Sequence, residues 1–363
     1  MSTKQLELSN VSLQLGGKTV LDKVNLVVAP GEVVALLGAS GAGKSSLLRS
    51  VSGLERLASG RVLINGEDVT DLQPSRRGCA MVADTAGLFE DMTVAENIFA
   101  VAPRSPRREQ VVQLALISLD IEHLARRFPH ELSTGESQKV ALARSLVRRP
   151  QVLLFDEPLA HVDPGSRKQL LEELLSLHTR LGCATLYVTH DIWEAYEVAD
   201  RICYLQQGRV IQDDVVEEVH DFPANVAIAK HLGATNFIPV RAEATRNELG
   251  ENIVCCRALD QDLQVLASPQ VMPGACQDLL LVGYPASVEI FPAKESVVQG
   301  KFGQVIGLTY QGEQYLARIE TELGVVSTWL WAKDNNFIVG DTVNIRLHED
   351  ALWALPLTRV VVP

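Results

Sequence analysis

The run Gly38-Ala39-Ser40-Gly41-Ala42-Gly43-Lys44-Ser45 constrains this chain more than any other segment. It follows a continuous apolar stretch, Val33–Leu37, and precedes a helical pattern over Ser45–Ser52. A short all-apolar run of this kind reads as a buried parallel strand. The loop fits the spacing G-x-x-x-x-G-K-[ST] at every fixed position. Its glycines allow backbone conformations that aim successive N–H groups at one point. The helix that follows adds the partial positive charge of its N-terminus. Lys44 is placed to reach the outer phosphates of a nucleotide, and Ser45 offers a hydroxyl to a divalent cation. Gly38 through Ser46 is therefore the candidate phosphate-binding segment.

A second apolar run, Val152-Leu153-Leu154-Phe155, ends in two carboxylates, Asp156 and Glu157. Successive strand residues point to opposite sides, so the two are expected to do different work. Asp156 suits a Mg²⁺ ligand together with Ser45. Glu157 suits a base that orients or activates an attacking water. Ala184–Thr189 reads as a third buried strand, and helical patterns over Ser137–Arg148, Gly165–Leu181 and Ile192–Ala199 separate these runs. Strands alternating with helices predict an α/β sheet. Ahead of them, Leu6–Leu15 and Val20–Val28 read as antiparallel strands joined at Gly16-Gly17.

Leu132-Ser133-Thr134-Gly135-Glu136 lies upstream of Asp156 and resembles the Leu-Ser-Gly-Gly-Gln signature of ABC ATPases. The run Gln138–Arg144 resembles the same family. With the two motifs above, residues 5–235 resemble an ABC cassette, which implies ATP and Mg²⁺ as ligands. The resemblance further implies that two copies close head to tail over two ATP molecules. Ser133, Thr134, Gly135 and Glu136 of one copy would then face the γ-phosphate held by the other. His190, after Leu186-Tyr187-Val188-Thr189, matches the family's switch histidine, and Asp163 its D-loop aspartate. His161 lies in the same loop and receives no role.

After residue 232 helical periodicity fades and Val-rich segments between Gly and Pro turns take over, among them Ile253–Arg257, Leu279–Gly283, Val305–Tyr310, Tyr315–Ile319, Val325–Trp329 and Val343–Leu347. This pattern predicts a small all-β, OB-like barrel. The expected organisation is an ATPase domain over 1–235, with a helical subdomain at about 86–150, and a β-rich domain over 236–363. Residues 223–237 resemble the linker of importer ATPases that carry a β-barrel regulatory (TOBE-like) domain. That resemblance implies permease subunits in the membrane, a solute-binding protein acting through them, and a peripheral place on the cytoplasmic face of the inner membrane. Among importer substrates, the Gly-Ala-Ser-Gly start of the loop resembles ferric-iron members. Sulfate, molybdate, polyamine and sugar are the alternatives, and a slow or regulatory ATPase sensing nucleotide or an ion is the other function class.

Three positions depart from the family pattern. Leu15 stands where an aromatic ring usually stacks on adenine, which predicts weaker nucleotide binding. Asp84 replaces the Q-loop glutamine and is a further Mg²⁺ candidate. Leu88-Phe89-Glu90-Asp91 replaces Leu-Phe-Pro-His, so the coupling surface is expected to be locally acidic. The formal net charge of −12 argues against sequence-independent nucleic-acid binding. No apolar run approaches the roughly 20 residues of a membrane span. The six cysteines form no C-x-x-C pair and are expected to be reduced and buried.

Overall fold

A computed structural model describes residues 5–83, 87–293 and 302–357. The chain divides into two compact units at Val216/Glu217.

In the first unit, β1 (Leu6–Leu15), β2 (Lys18–Val28), β4 (Ser59–Ile64) and β5 (Glu67–Asp68) form an antiparallel sheet in the order β2-β1-β4-β5. The second sheet holds β3 (Val33–Leu37), β6 (Cys79–Ala83), β7 (Val152–Asp156), β8 (Ala184–Val188), β9 (Arg201–Gln206) and β10 (Arg209–Val215), in the order β10-β9-β3-β8-β7-β6. All its pairings are parallel except the β9–β10 hairpin. The interleaved helices are α1 (Lys44–Ser52), α2 (Val94–Val101), α3 (Arg108–Ser118), α4 (Thr134–Leu146), α5 (Pro164–Leu181) and α6 (Ile192–Val198).

The parallel sheet is covered on both faces, which is why its strands read as unbroken apolar runs. Val34, Leu36, Leu154 and Leu186 join a core with α1 and the antiparallel sheet. Their sequence neighbours Val33, Leu153, Phe155 and Tyr187 join a second core with α2 through α5. Every residue of β3 and β8 is buried. Three adjacent strands, β3, β8 and β7, run the same way, and Leu36, Val188 and Asp156 lie in one register row. Their carboxyl ends therefore share one edge of the sheet, the edge at which open α/β sheets bind ligands.

Among the described residues, the second unit contains most of α7 (Val216–Asp221), then α8 (Val226–His231) and ten strands. β11 (Asn236–Arg246), β12 (Asn252–Ala258), β13 (Gln261–Leu266), β14 (Cys276–Gly283) and β20 (Leu352–Pro356) form one sheet, in the order β13-β12-β11-β14-β20. β15 (Val288–Pro292), β16 (Phe302–Tyr310), β17 (Gln314–Thr321), β18 (Gly324–Trp331) and β19 (Thr342–Leu347) form the other, in the order β15-β19-β16-β17-β18. Both are antiparallel and contribute to one core, so the expected smaller β domain is two five-stranded sheets.

The division falls ahead of the boundary expected at 235/236. Ala229 of α8 is buried against Val282, Trp353 and Leu355 of β14 and β20, with Val226 and Phe222, just past α7, partly buried beside it. Trp353 also donates its indole N–H to Pro223 O at 3.2 Å. The expectation of buried thiols holds for Cys79, Cys183 and Cys203, and burial pushes the Cys79 thiol up to about 12. Cys255 and Cys276 are exposed: they occupy outward positions of β12 and β14, where period-2 alternation turns them to solvent.

Asn236, fully buried, ties the two β sheets together. Its amide donates to Tyr284 O (2.9 Å), Ser287 Oγ (3.1 Å) and Ser327 O (3.0 Å), and its carbonyl oxygen accepts from Ser327 N (2.6 Å). Asn236→Ala strands several buried polar groups, so the β unit is expected to lose roughly 3 kcal/mol. Denaturant unfolding followed by tryptophan fluorescence reads this unit, because Trp329, Trp331 and Trp353 lie in it and only Trp193 lies outside. A variant within about 0.5 kcal/mol of the parent contradicts the assignment.

Candidate functional site

The phosphate loop leaves β3 through three glycines in left-handed or extended positive-φ conformations, Gly38 (φ 148°), Gly41 (77°) and Gly43 (104°). Two have no room for a side chain. A Cβ on Gly38 would lie 2.2 Å from Leu205 O, and one on Gly43 would lie 2.9 Å from Leu21 Cδ2. The loop then opens α1 with Gly43 as its N-cap and no side-chain cap. By contrast, α2, α4, α5 and α6 are capped by Thr93, Ser133, Asp163 and Asp191. The first N–H groups of α1 are thus left to an anionic ligand, whose charge also suits the helix dipole.

Lys44 is 9% exposed and donates Nζ to Gly38 O (2.7 Å) and Ala39 O (3.2 Å), within its own loop. Burial lowers its pKa, and the carboxylates of Glu157 and Asp156 pull it back up. Ser45, the next residue, donates Oγ to Asp156 Oδ1 at 2.9 Å. The strand ends there, and the chain turns into the left-handed region at Glu157 (φ 51°). That conformation costs a non-glycine residue on the order of 1 kcal/mol and is held here by context: Glu157 N donates to Val188 O at 2.9 Å, and Ala160 N donates to Glu157 O at 3.1 Å. The turn sends the two carboxylates to different partners. Asp156 meets Ser45, while Glu157 Oε2 lies 3.0 Å from His190 Nδ1, just beyond the end of β8. The sheet edge therefore brings together the loop, Lys44, Ser45, Asp156, Glu157 and His190.

Ser133–Glu136 is not part of that cluster. Ser133 is the N-cap of α4 and forms a capping box with Glu136: Ser133 N and Oγ each donate to Glu136 Oε2 at 2.8 Å, and Glu136 N donates to Ser133 Oγ at 3.3 Å. The bonds from Ser133 hold the Glu136 carboxyl below its usual range. Among the described residues no hydrogen bond joins this segment to the phosphate loop. Gly135 faces open space on the side where a Cβ would sit. Asp163 is exposed and caps α5, its Oδ1 accepting from Ser166 N at 3.1 Å. Leu15 is 39% exposed at the Gly16-Gly17 turn, which closes with Leu15 opposite Lys18.

Asp84 lies outside the described residues. On either side of it, Gln138 Nε2 donates to Ala83 O at 3.3 Å and Arg144 donates to Gly87 O at 2.7 Å while stacking on Phe89 (4.7 Å). A cavity of about 520 Å³ opens beside these contacts, with Arg49, Arg144 and Arg148 in its lining. Glu90 and Asp91 are exposed on the loop, and the cavity beside Gly87 is lined by arginines. The arginines are far apart in sequence, on α1, on α4 and just past the end of α4, and only the fold brings them together.

The ABC transporter family matches residues 21–160. A spermidine/putrescine import ATP-binding protein of Marinobacter nauticus is 31% identical over 373 residues, covering 100% of this chain and 98% of its own. The chain belongs to the ABC transporter ATP-binding subunits. A sulfate/thiosulfate import ATP-binding protein of Nitrosomonas europaea is 38% identical over 291 residues, covering 77% of this subunit and 80% of its own length. The dimeric post-hydrolysis structure of the ATP-binding cassette MJ0796 with ADP and Pi superposes with a TM-score of 0.52 at 28% identity, over 58% of this chain and 98% of that one. These relatives name polyamines and sulfate, not ferric iron; the alanine at position 39 finds no support as a substrate cue.

For this ABC ATPase, Leu15→Tyr supplies the missing ring face and is expected to tighten ATP binding about three- to tenfold. Titration with a fluorescent ATP analogue measures it, and an unchanged affinity places the base elsewhere.

Proposed function

We propose that this ABC ATPase is the energy-coupling subunit of an importer and that it hydrolyses ATP at a site shared between two copies. The observation that carries the reading is the pair of contacts at one sheet edge, Ser45–Asp156 and Glu157–His190, beside the uncapped helix that begins at Lys44. Lys44 and the N-terminus of α1 counter the charge of the phosphates. Ser45 and Asp156 present the hard oxygen ligands that Mg²⁺ prefers, and the ion would offset the charge that builds on the phosphates. Glu157 accepts the proton of the attacking water, or orients that water, while His190 holds the Glu157 carboxylate in place and reaches for the γ-phosphate. The triphosphate face left open by one chain receives Ser133 and Gly135 of the second copy, with Asp163 at the contact.

Glu157→Gln keeps the size of the side chain and removes its basicity. It is expected to lower ATP turnover at least a hundredfold while leaving ATP affinity within about threefold, and to hold an ATP-dependent dimer on size exclusion. Chelating Mg²⁺ with EDTA is expected to stop turnover in the parent protein. Hydrolysis by Glu157→Gln at the parent rate, or a monomer at saturating ATP, contradicts the reading.

The cargo we assign first is a polyamine, since the spermidine/putrescine relative matches along the whole chain, β unit included. Sulfate is the second reading, favoured by a higher identity over a shorter stretch. In either case the subunit works on the cytoplasmic face beneath a permease, which a solute-binding protein supplies, and the arginine-lined cavity beside Gly87 offers an acidic segment of the permease a place to dock. Uptake of labelled spermidine and of labelled sulfate by cells with and without this subunit separates the two. Loss of spermidine uptake alone supports the first, and loss of sulfate uptake alone replaces it with the second.

A further inference from the structure

His190 has little packing to fix it: its side chain is 66% exposed. The residues around it are held instead. Asp191 caps α6 by accepting from Trp193 N (2.9 Å) and Glu194 N (3.2 Å) through Oδ1, and its own N–H donates to Thr189 Oγ1 (3.0 Å). Its other oxygen, Oδ2, lies 3.1 Å from a guanidinium nitrogen of Arg167. The same nitrogen pairs with Glu194, whose side chain is only 4% exposed. Glu194 Oε1 accepts from the Tyr187 hydroxyl at 2.5 Å. Tyr187 is buried on β8, three residues before His190, with its ring tilted against Phe155 at 5.6 Å, just ahead of Asp156 and Glu157.

One guanidinium thus holds the two carboxylates that follow His190, and Glu194 carries the link on to Tyr187 ahead of it. The guanidinium does so from α5, the helix that begins at Asp163, and Arg167 N donates to Asp163 O at 3.0 Å. Farther along α5, Glu173 pairs at 2.7 Å with Lys139 of α4, the helix opened by Ser133. Glu194 and Tyr187 are buried, while Arg167 and Asp191 are partly exposed. Burial and the neighbouring Glu194 carboxylate push the Tyr187 phenol well above its ordinary range, and the bond to Glu194 raises the Arg167 guanidinium. A buried carboxylate such as Glu194 keeps its place only while both partners remain.

We propose that Arg167, with Glu194 and Tyr187, is a positioning residue for ATP hydrolysis that fixes the segment holding His190 on Glu157. The inference rests on the reading of Glu157 and His190 as the hydrolytic pair. It also gives α5 a task in the shared site. Contact of a second copy with Asp163 reaches His190 of the same chain through one side chain four residues farther along α5.

Steady-state and single-turnover ATP hydrolysis by the full chain tests this, in Arg167→Lys, Tyr187→Phe, His190→Ala and the double variant Arg167→Lys/His190→Ala. Lysine keeps the charge but ends about one bond short of the terminal guanidinium nitrogen that meets both Asp191 and Glu194. Phenylalanine removes only the hydroxyl and serves if Arg167→Lys does not fold. Each single change is expected to lower kcat about tenfold or more with KM for ATP within about twofold. In the His190→Ala background Arg167→Lys is expected to cost nothing further, as for residues that act as a unit. Losses that multiply in the double variant, a raised KM at unchanged kcat, or an unchanged kcat overturn the proposal. Glu157→Gln is run alongside: if it still hydrolyses ATP, the hydrolytic pair itself is wrong, and if it is inactive, a failure of the Arg167 test counts against the positioning role alone.

Discussion

Parallel pairing of β3, β8 and β7 is the constraint on which the rest of the first unit depends. Three strands that run together and stay in register must end together, so whatever follows them is delivered to one edge. The chain spends those three ends on a glycine loop, a carboxylate pair and a histidine. Full burial of β3 and β8 makes the edge rigid, and rigidity matters because the contacts there are short and few. The left-handed turn at Glu157 completes the design. It costs on the order of 1 kcal/mol, is held by the Val188 carbonyl of the neighbouring strand, and sends two adjacent carboxylates to different partners.

Much of this was legible in the sequence because its carriers are contiguous. Gly38–Ser45 states its own geometry: the glycines fall where positive φ or a close approach of Leu205 and Leu21 forbids a side chain. Asp156-Glu157 at the end of an apolar run marked the strand, its end and the parting of the two carboxylates. His190 followed from order along the chain. The β unit was legible as a class, through Val-rich segments between turns, but Gln261–Leu266 and Leu352–Pro356 are too polar or too short to announce themselves, and sheet order depends on pairings far apart in sequence.

What stayed hidden has one physical character: it is made by residues that only packing brings together. Arg167, Tyr187 and Glu194 look like an ordinary helix charge, a strand aromatic and a first-turn acid until α5 and α6 close around β8. The arginines that line the cavity beside Gly87 come together for the same reason. The helices of residues 216–231 read as the tail of the ATPase domain, yet their apolar faces are buried on β14 and β20.

Ser133–Glu136 poses the opposite case, a motif fully explained as a helix cap inside one chain and still unused by that chain's own phosphate loop. Its open glycine and the exposed Asp163 cap both look outward, which is what a site completed by a second copy requires. The most direct measurement is the structure of Glu157→Gln with ATP and Mg²⁺. The account predicts two copies head to tail, with Ser133 and Gly135 of each on the γ-phosphate held by Lys44 of the other. A triphosphate enclosed by residues of one chain alone would contradict it.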